Sequence, residues 1–364
     1  MPKRGENIRK RKDGRWEARI LSENGKYKSI YANSYYAVKD KLKQHEESKQ
    51  KTGKHSILTF EQICQQWLHE NEIKNKQSTI ARYRNLCKNH IIPYFKHIKP
   101  NFIERNNVND FIRYETYERK LEPKTIYDIL TVLIQIIRFT ESQGYIQGFQ
   151  YDIAMPAVPK KELEILTETE QEKLVNLIKS KVTNENIGIL LSLYAGLRLG
   201  EICALQWKDI DINAGIISVT KTMQRISATD ETSETKTVVI IDTPKSQKSI
   251  RKIPIPNFLL PELQTLSKNC CGNDYLLASN KYAYTEPRAY QNKFKKYLKQ
   301  AGIRDINFHS LRHTFATRAV EQNMDIKTLS EILGHSTVNF TLDRYVHPSF
   351  SLKKQSIEKL AACY

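Results

Sequence analysis

The sequence predicts a multidomain α+β protein with a small β-rich N-terminal head, an all-helical middle, and a mixed, mainly helical C-terminal part containing a small antiparallel sheet. Length is the first observation behind this, since 364 residues allow two or three domains at about 150 residues each. Periodicity is the second: strand-like patterns lie near the N-terminus and from about Ile216 to Ile255, with helical spacing between and after. Charge is the third. Lys plus Arg is 58 against 40 Asp plus Glu, a net +18, and residues 1–54 hold sixteen basic and seven acidic side chains. Half of the surplus thus sits in the head, which favours a polyanionic partner and excludes a disordered acidic tail.

In the head, Arg15-Trp16-Glu17-Ala18-Arg19-Ile20 alternates polar and apolar, Glu23-Asn24-Gly25 supplies a turn, and Lys26 to Tyr31 is a second β-rich run. Lys10 to Gly14 would turn an earlier strand into the first of these, and Ser34 can cap a following helix with Tyr36, Val38 and Leu42 as apolar contacts. A ribbon of two or three strands has the width to enter a DNA major groove, which makes Arg15, Arg19 and Lys28 candidate contacts; a merely solvated basic surface explains any one of them equally well.

The polar connector Gln50 to Ser56 leads to Thr59-x-x-Gln62, a capping box that opens a helix through Trp67. Ser78-Thr79 precedes Ile80, Tyr83 and Leu86, and Pro123 stands before Ile126, Ile129, Leu130, Leu133, Ile136 and Ile137. Met155 to Lys161, with two prolines within four residues, resists both helix and interior strand. Domains are therefore expected at 1–54, 57–153 and 162–364. In the last of them Thr167-x-x-Glu170 is another capping box, helices run to Trp207, strands surround a polar excursion from Ser227 to Lys236, and helical spacing then resumes.

The longest nearly unbroken apolar stretch, Ile187 to Leu197, has 11 residues, short of the ~20 a spanning helix needs. No apolar core follows the basic N-terminal residues, so no secretory signal is expected. The six cysteines show neither CxxC pairs nor regular spacing and read as reduced thiols, without a disulfide framework or zinc ribbon.

Several motifs in the C-terminal half can carry chemistry. Arg198 and Glu201 sit in Ala195-Gly-Leu-Arg-Leu-Gly-Glu201, between two apolar helices. An arginine beside glycine can approach a phosphate closely and a carboxylate three residues on can hold its plane, although a helix-start ion pair explains the two alone. In Phe308-His309-Ser310-Leu311-Arg312-His313-Thr314-Phe315, helical spacing gathers Phe308, Leu311, Phe315 and Ala319 on a core face, with His309, Arg312 and His313 on its flank. A zinc helix of the metalloprotease kind needs Glu after the first His, and Ser310 stands there. Gly334 ends one helix and Ser336 can cap the next, leaving His335 on the bend. Tyr345 follows, where core packing with Leu342 and Val346 is the plain alternative. Pro244 to Ile255 reads as a basic turn into a strand, with Lys245 or Lys248 at its tip.

The order Arg-x-x-Glu, lysine, His-x-x-Arg, Gly-His, Tyr resembles that of the tyrosine recombinase family, specifically the integrases of phages and conjugative transposons. The resemblance spans essentially the whole chain. It implies an arm-binding head of a three-stranded sheet plus a helix, a helical SAM-like core-binding domain and a catalytic domain. By position it makes Arg198 and Arg312 the phosphate-clamping arginines, Lys245 the proton donor to the departing 5′ oxygen, His309 and His335 the active-site histidines, Tyr345 the nucleophile and Glu201 a support. It also implies a site-specific recombinase that integrates and excises a mobile element through a 3′-phosphotyrosine, with no metal, other cofactor or ATP. Its partners would be double-stranded DNA at core-type and arm-type sites, three further copies in a homotetramer, and an excisionase or DNA-bending protein, in the bacterial cytoplasm at the nucleoid and not at a membrane. The segment from Ser351 to Ala362 would dock on a neighbouring subunit. The family often has Asn-Pro where the helical domain ends, whereas this chain runs Gln147-Gly-Phe-Gln150, which blurs that boundary.

This chemistry needs these residue types. Attack on a phosphodiester builds charge on the non-bridging oxygens, and without a carboxylate cluster for magnesium, protein cations must offset it. A phenol with a free pKa near ~10 attacks poorly until a base takes its proton, and histidines suit that task. A DNA-binding regulator without strand transfer and a relaxing enzyme like the type IB topoisomerases stay open as alternatives. A metal-dependent nuclease is disfavoured because the histidines lack carboxylate companions.

Overall fold

A computed structural model of the chain describes residues 8–21, 27–52, 58–159, 162–228, 235–244, 247–278 and 283–346, together with 354, 357, 358 and 361. The chain separates into two compact units, Met1–Val158 and Pro159–Tyr364.

In the first unit β1 (Ile8–Lys10), β2 (Trp16–Leu21) and β3 (Tyr27–Ala32) form an antiparallel sheet in the order β1-β2-β3. Ala18 lies across from both Ile8 and Ile30, and Trp16 across from Ala32, so the even-numbered side chains share one face. Helix α1 (Tyr35–Thr52) packs Val38 against that face and is capped by Ser34, whose Oγ accepts from the Ala37 amide at 3.1 Å. Tyr35 meets the Trp16 ring edge-on at 5.4 Å, whereas Tyr36, expected among the apolar contacts, is exposed. Successive helical residues point about 100° apart, so only one of the two can face the sheet.

Helices α2 (Phe60–Lys74), α3 (Gln77–Leu86), α4 (Ile92–Phe95), α5 (Arg105–Arg113) and α6 (Pro123–Ser142) follow, around a core that includes Phe60, Trp67, Phe95, Phe111, Ile129 and Leu133. The capping box before α2 is formed: the Thr59 amide donates to Gln62 Oε1 at 2.9 Å and the Gln62 amide to Thr59 Oγ1 at 3.3 Å. Pro123 opens α6, where no amide is needed. Ser78 and Thr79 do not cap α3 but lie inside its first turn, which has already closed through the Thr79 amide onto the Lys76 carbonyl.

The second unit begins with α7 (Glu168–Lys179), behind its Thr167–Glu170 capping box, then α8 (Ile187–Ala195) and α9 (Leu199–Ala204). Helices α10 (Leu260–Ser267), α11 (Pro287–Gln300), α12 (His309–Glu321), α13 (Ile326–Leu333) and α14 (Val338–Tyr345) follow, and the last three border the site. All residues of α8 but Tyr194 are buried, as befits a helix apolar on every side, and it runs through a core with Leu174, Ile202, Ile217, Phe294 and Leu311. A smaller cluster of Ala316, Ala319, Leu329, Leu333 and Tyr345 ties α12, α13 and α14 together. Among the described residues no helix is long and apolar enough to cross a membrane.

Where one small sheet was expected there are two. Strands β4 (Ile210–Asp211), β5 (Ile216–Val219) and β8 (Arg251–Pro254) form one, in the order β4-β5-β8, and β6 (Thr222–Ser227) pairs with β7 (Thr237–Asp242) in the other. β7 and β8 therefore belong to different sheets and do not pair with each other as a hairpin.

Gly196 ends α8 with φ +66°, and a Cβ there would stand 2.7 Å from the Phe315 ring. Gly302 has a similar φ of +64° but open space around it. Gly196→Ala is expected to lose about 1–3 kcal/mol, through backbone strain plus displacement of Phe315, and Gly302→Ala only the smaller strain part; urea titrations of the two variants measure the difference.

Candidate active site

The C-terminus of α13 organises the site. Gly334 takes φ +63°, the His335 amide donates back to the Ser330 carbonyl at 3.1 Å, and the Gly334 amide donates to the Glu331 carbonyl at 3.0 Å. This Schellman motif puts His335 on the bend and leaves the carbonyls of Ile332, Leu333 and Gly334 beyond the helix's own amides. Each is met by a different arginine: Arg251 Nε donates to Ile332, Arg312 Nη2 to Leu333 at 2.6 Å, and Arg198 Nη2 to Gly334 at 3.2 Å. Lys248 Nζ donates to the Ser336 carbonyl at 3.0 Å. The negative end of the helix dipole favours this gathering of cations.

Each arginine has a second anchor. Arg312, only 1% exposed, also donates through Nη1 to the Gly196 carbonyl at 2.7 Å, and so bridges the C-termini of α8 and α13. Arg198 precedes α9; its amide and Nη1 donate to the two oxygens of Glu201 at 2.9 and 2.7 Å. Arg251 Nη1 and Nη2 donate to the same two oxygens, each at 2.9 Å. Burial works to raise the Glu201 carboxyl, but the hydrogen bonds and charge of Arg251 and Arg198 overcome it and hold the group at about 2. Arg312 is pulled down to about 9 by burial and by the facing Arg198, which leaves it a cation at neutral pH.

Tyr345 is the last residue of α14 and is buried. Its Oη lies 2.8 Å from His313 Nδ1, and its ring is parallel to that of His335 at 6.3 Å. His335 Nδ1 is 2.8 Å from the buried Thr341 hydroxyl. The His309 and His313 rings meet edge-on at 4.5 Å. All three histidines are held below the ordinary imidazole range: His309 at about 4, by partial burial of a ring on an otherwise open rim and by Arg312 and Arg198; His313 at about 3, by burial and then His309 and Arg344; His335 at about 3, by burial and then Arg312 and Arg198. Burial raises the Tyr345 phenol, against the pull of Arg312, Arg344 and Arg198. The ensemble is a set of fixed cations, neutral imidazoles and one phenol, suited to binding an anion and attacking it.

The sequence-derived residues Arg198, Glu201, His309, Arg312, His335 and Tyr345 thus converge within one electrostatic neighbourhood. Lys245 lies outside the described residues, as does most of the segment from Ser351 to Ala362. Ser336 does not cap α14, which has Thr337 at that position without a side-chain bond. Two members were missed. His313 was left beside the His-x-x-Arg motif, although its i, i+4 relation to His309 placed it on the same side of α12. Arg251 was passed over as one more basic residue, yet it alternates with exposed Lys252 and shares the face of buried Ile253 on β8.

In the first unit the open face of the sheet, opposite α1, carries Arg9, Glu17, Arg19, Ser29 and Tyr31. Buried Glu17 collects them, accepting from Arg9 Nε at 2.8 Å and the Ser29 hydroxyl at 2.7 Å, with Arg19 at 3.6 Å, and these hydrogen bonds hold it at about 2. Arg15 is in the turn before β2, paired with Asp13 at 2.8 Å and 5.6 Å over the Tyr31 ring. Lys28 departs from the expected grouping: it pairs across from Ile20 and has the parity of the helix-covered face.

Comparison with known proteins gives the family and the fold. The pattern of the phage integrase family matches residues 164–351, and that of the phage integrase N-terminal SAM-like domain matches residues 59–115. A tyrosine recombinase XerC-like protein of Caldanaerobacter subterraneus subsp. tengcongensis is 28% identical over 324 residues, covering 83% of each chain. Among solved structures, the Tn1549 transposon integrase in complex with transposon right end DNA superposes with a TM-score of 0.68 at 23% identity, over 84% of this chain and 100% of that one. The lambda integrase tetramer bound to a Holliday junction gives 0.56 at 19%, over 91% and 96%. The chain belongs to the phage integrase family, and its fold is that of a tyrosine recombinase with a SAM-like domain.

Arg251→Ala would leave the buried Glu201 carboxylate with one cation fewer and is expected to cost about 3 kcal/mol, read as a lower urea midpoint. A pH series tests the histidines. Their folded pKa values lie below the unfolded value of ~6.5, so the unfolded chain binds protons first and stability falls as pH drops from about 6.5 toward about 4. Glu201, an acid that is likewise depressed, adds its own loss only below about 4.5. Unfolding midpoints at pH 7.5, 6 and 5 should descend in that order.

Proposed function

We propose that the protein integrates and excises a mobile DNA element by cutting and rejoining DNA through a phosphotyrosine at Tyr345. The observation that carries this is the placement of one buried phenol among Arg198, Arg312 and Arg344 and three neutral histidines. In this reading Arg198 and Arg312 bind the non-bridging oxygens of the scissile phosphate with donors that their carbonyl and carboxylate anchors leave over. The anchors fix both guanidinium planes before DNA arrives, so little reorganisation is needed as charge builds. His309 and His335 line the phosphate pocket, and Lys245 protonates the departing 5′ oxygen.

The Tyr345 oxygen replaces the 5′ oxygen on phosphorus, leaving a 3′-phosphotyrosine and a free 5′-hydroxyl. Because the covalent link keeps the bond energy, a 5′-hydroxyl from another strand can reverse the step without ATP. Exchange between duplexes then requires four active sites on one junction, an assembly that the lambda integrase tetramer on a Holliday junction supports. The open face of the N-terminal sheet, with Arg9 and Arg19 held by Glu17, is suited to a second, arm-type DNA site. The protein would act in the bacterial cytoplasm, with accessory bending or excision proteins.

A nicked suicide substrate tests the reading. Incubated with the protein in EDTA, it should form a covalent adduct that maps to Tyr345, and Tyr345→Phe should bind the DNA normally and form none. Arg312→Ala should slow adduct formation by ~10²–10³. Arm-site binding should weaken steeply with salt, and Arg19→Ala should lower the slope of log K against log salt by about 1.

A further inference from the structure

The Tyr345 hydroxyl meets a histidine that the family's motif order does not supply. The geometry points to His313 as the catalytic base that takes the Tyr345 proton, a role distinct from those of His309 and His335. It rests on the recombinase reading above and deepens it.

Oη of Tyr345 and Nδ1 of His313 are 2.8 Å apart, close enough for direct transfer without a bridging water. His335 is not so placed: its Nδ1 is engaged by Thr341 and its ring lies parallel to the tyrosine ring. His313 is also held still. It is 8% exposed, follows Arg312 on α12, and packs edge-on against His309 one turn away.

The groups facing His313 are Arg312 and His309 on its own helix and Tyr345 and Arg344 on α14. Together with burial these cations keep the imidazole neutral, at about 3, so Nδ1 has its lone pair free through the neutral range but is a weak base while no anion is bound. A bound phosphodiester brings the negative charge that offsets Arg312 and Arg344, which makes the protonated state accessible when it is needed. In the step, Nδ1 takes the Oη proton as the Oη–P bond forms and the P–O5′ bond breaks. The 5′ oxygen receives its proton from a separate donor. When a 5′-hydroxyl attacks the phosphotyrosine, the proton on Nδ1 returns to Oη.

Single-turnover cleavage of the suicide substrate across pH 6 to 9, with His313→Ala and His313→Asn, tests this. Asparagine places an amide oxygen near the position of Nδ1, so it restores a hydrogen bond but not a base. A parallel assay separates chemistry from folding: ligation of DNA carrying a 3′-(p-nitrophenyl phosphate), where the leaving group is already activated and the tyrosine takes no part. Both variants should cleave ~10²-fold or more slowly at pH 7, gain rate as pH rises and the phenol ionises unaided, and ligate the activated substrate within a few-fold of the parent protein. Parallel loss of ligation would reduce His313 to a structural residue, a parent-like rate for His313→Asn would make it only a positioner, and faster cleavage would make it a lock on the nucleophile; each overturns the inference. An adduct formed by Tyr345→Phe would instead overturn the functional reading, so the two failures are distinguishable.

Discussion

Three consecutive carbonyl oxygens at the end of α13 hold the active centre together. Buried guanidinium groups require acceptors, and helix C-termini have carbonyls that the helix itself cannot satisfy. Here the two needs meet: Arg198 arrives from the start of α9, Arg251 from β8 and Arg312 from α12, and each takes one of the oxygens of residues 332 to 334. The turn depends on glycine for two reasons. Gly334 is left-handed, and a Cβ on it would stand 3.0 Å from the Arg251 side chain. The same turn sets His335, so one local backbone decision fixes three cations and an imidazole.

Glu201 acts as the counterweight. Two cations share one buried carboxylate that stays ionised because the Arg251 guanidinium donates to both of its oxygens and Arg198 reaches the same two with Nη1 and its main-chain amide. The first unit uses the same device at smaller scale, where Glu17 holds Arg9 and Arg19 side by side on an otherwise repulsive basic face. In both places an acid in the midst of bases sets the spacing of the positive charge.

Much of this was legible from sequence because the signals are local. The capping boxes at Thr59 and Thr167, Pro123 at the head of α6 and the glycines at 196 and 334 each act within one turn of chain, and each stands where the pattern placed it. The ordered motifs likewise named most of the residues that converge. Contacts made by long-range pairing were not legible. That β8 pairs with β5 while β7 pairs with β6 decides that Arg251 points at Glu201, and no local period carries strand partnership. Lys28 was grouped with Arg19 because both are basic, yet register puts them on opposite faces. His313 was obscured for another reason: its partner lies 32 residues away, on a helix whose approach the sequence of α12 does not encode.

Arg312 is gripped at both ends by main-chain oxygens, one from Gly196 and one from Leu333. Every amino acid supplies such an oxygen, so the exposed positions of α13, Lys327, Thr328 and Glu331, can change while the inner charge keeps its place; α8, buried but for Tyr194, has no such freedom. A scaffold of this kind lets a lineage vary that surface without relearning its chemistry.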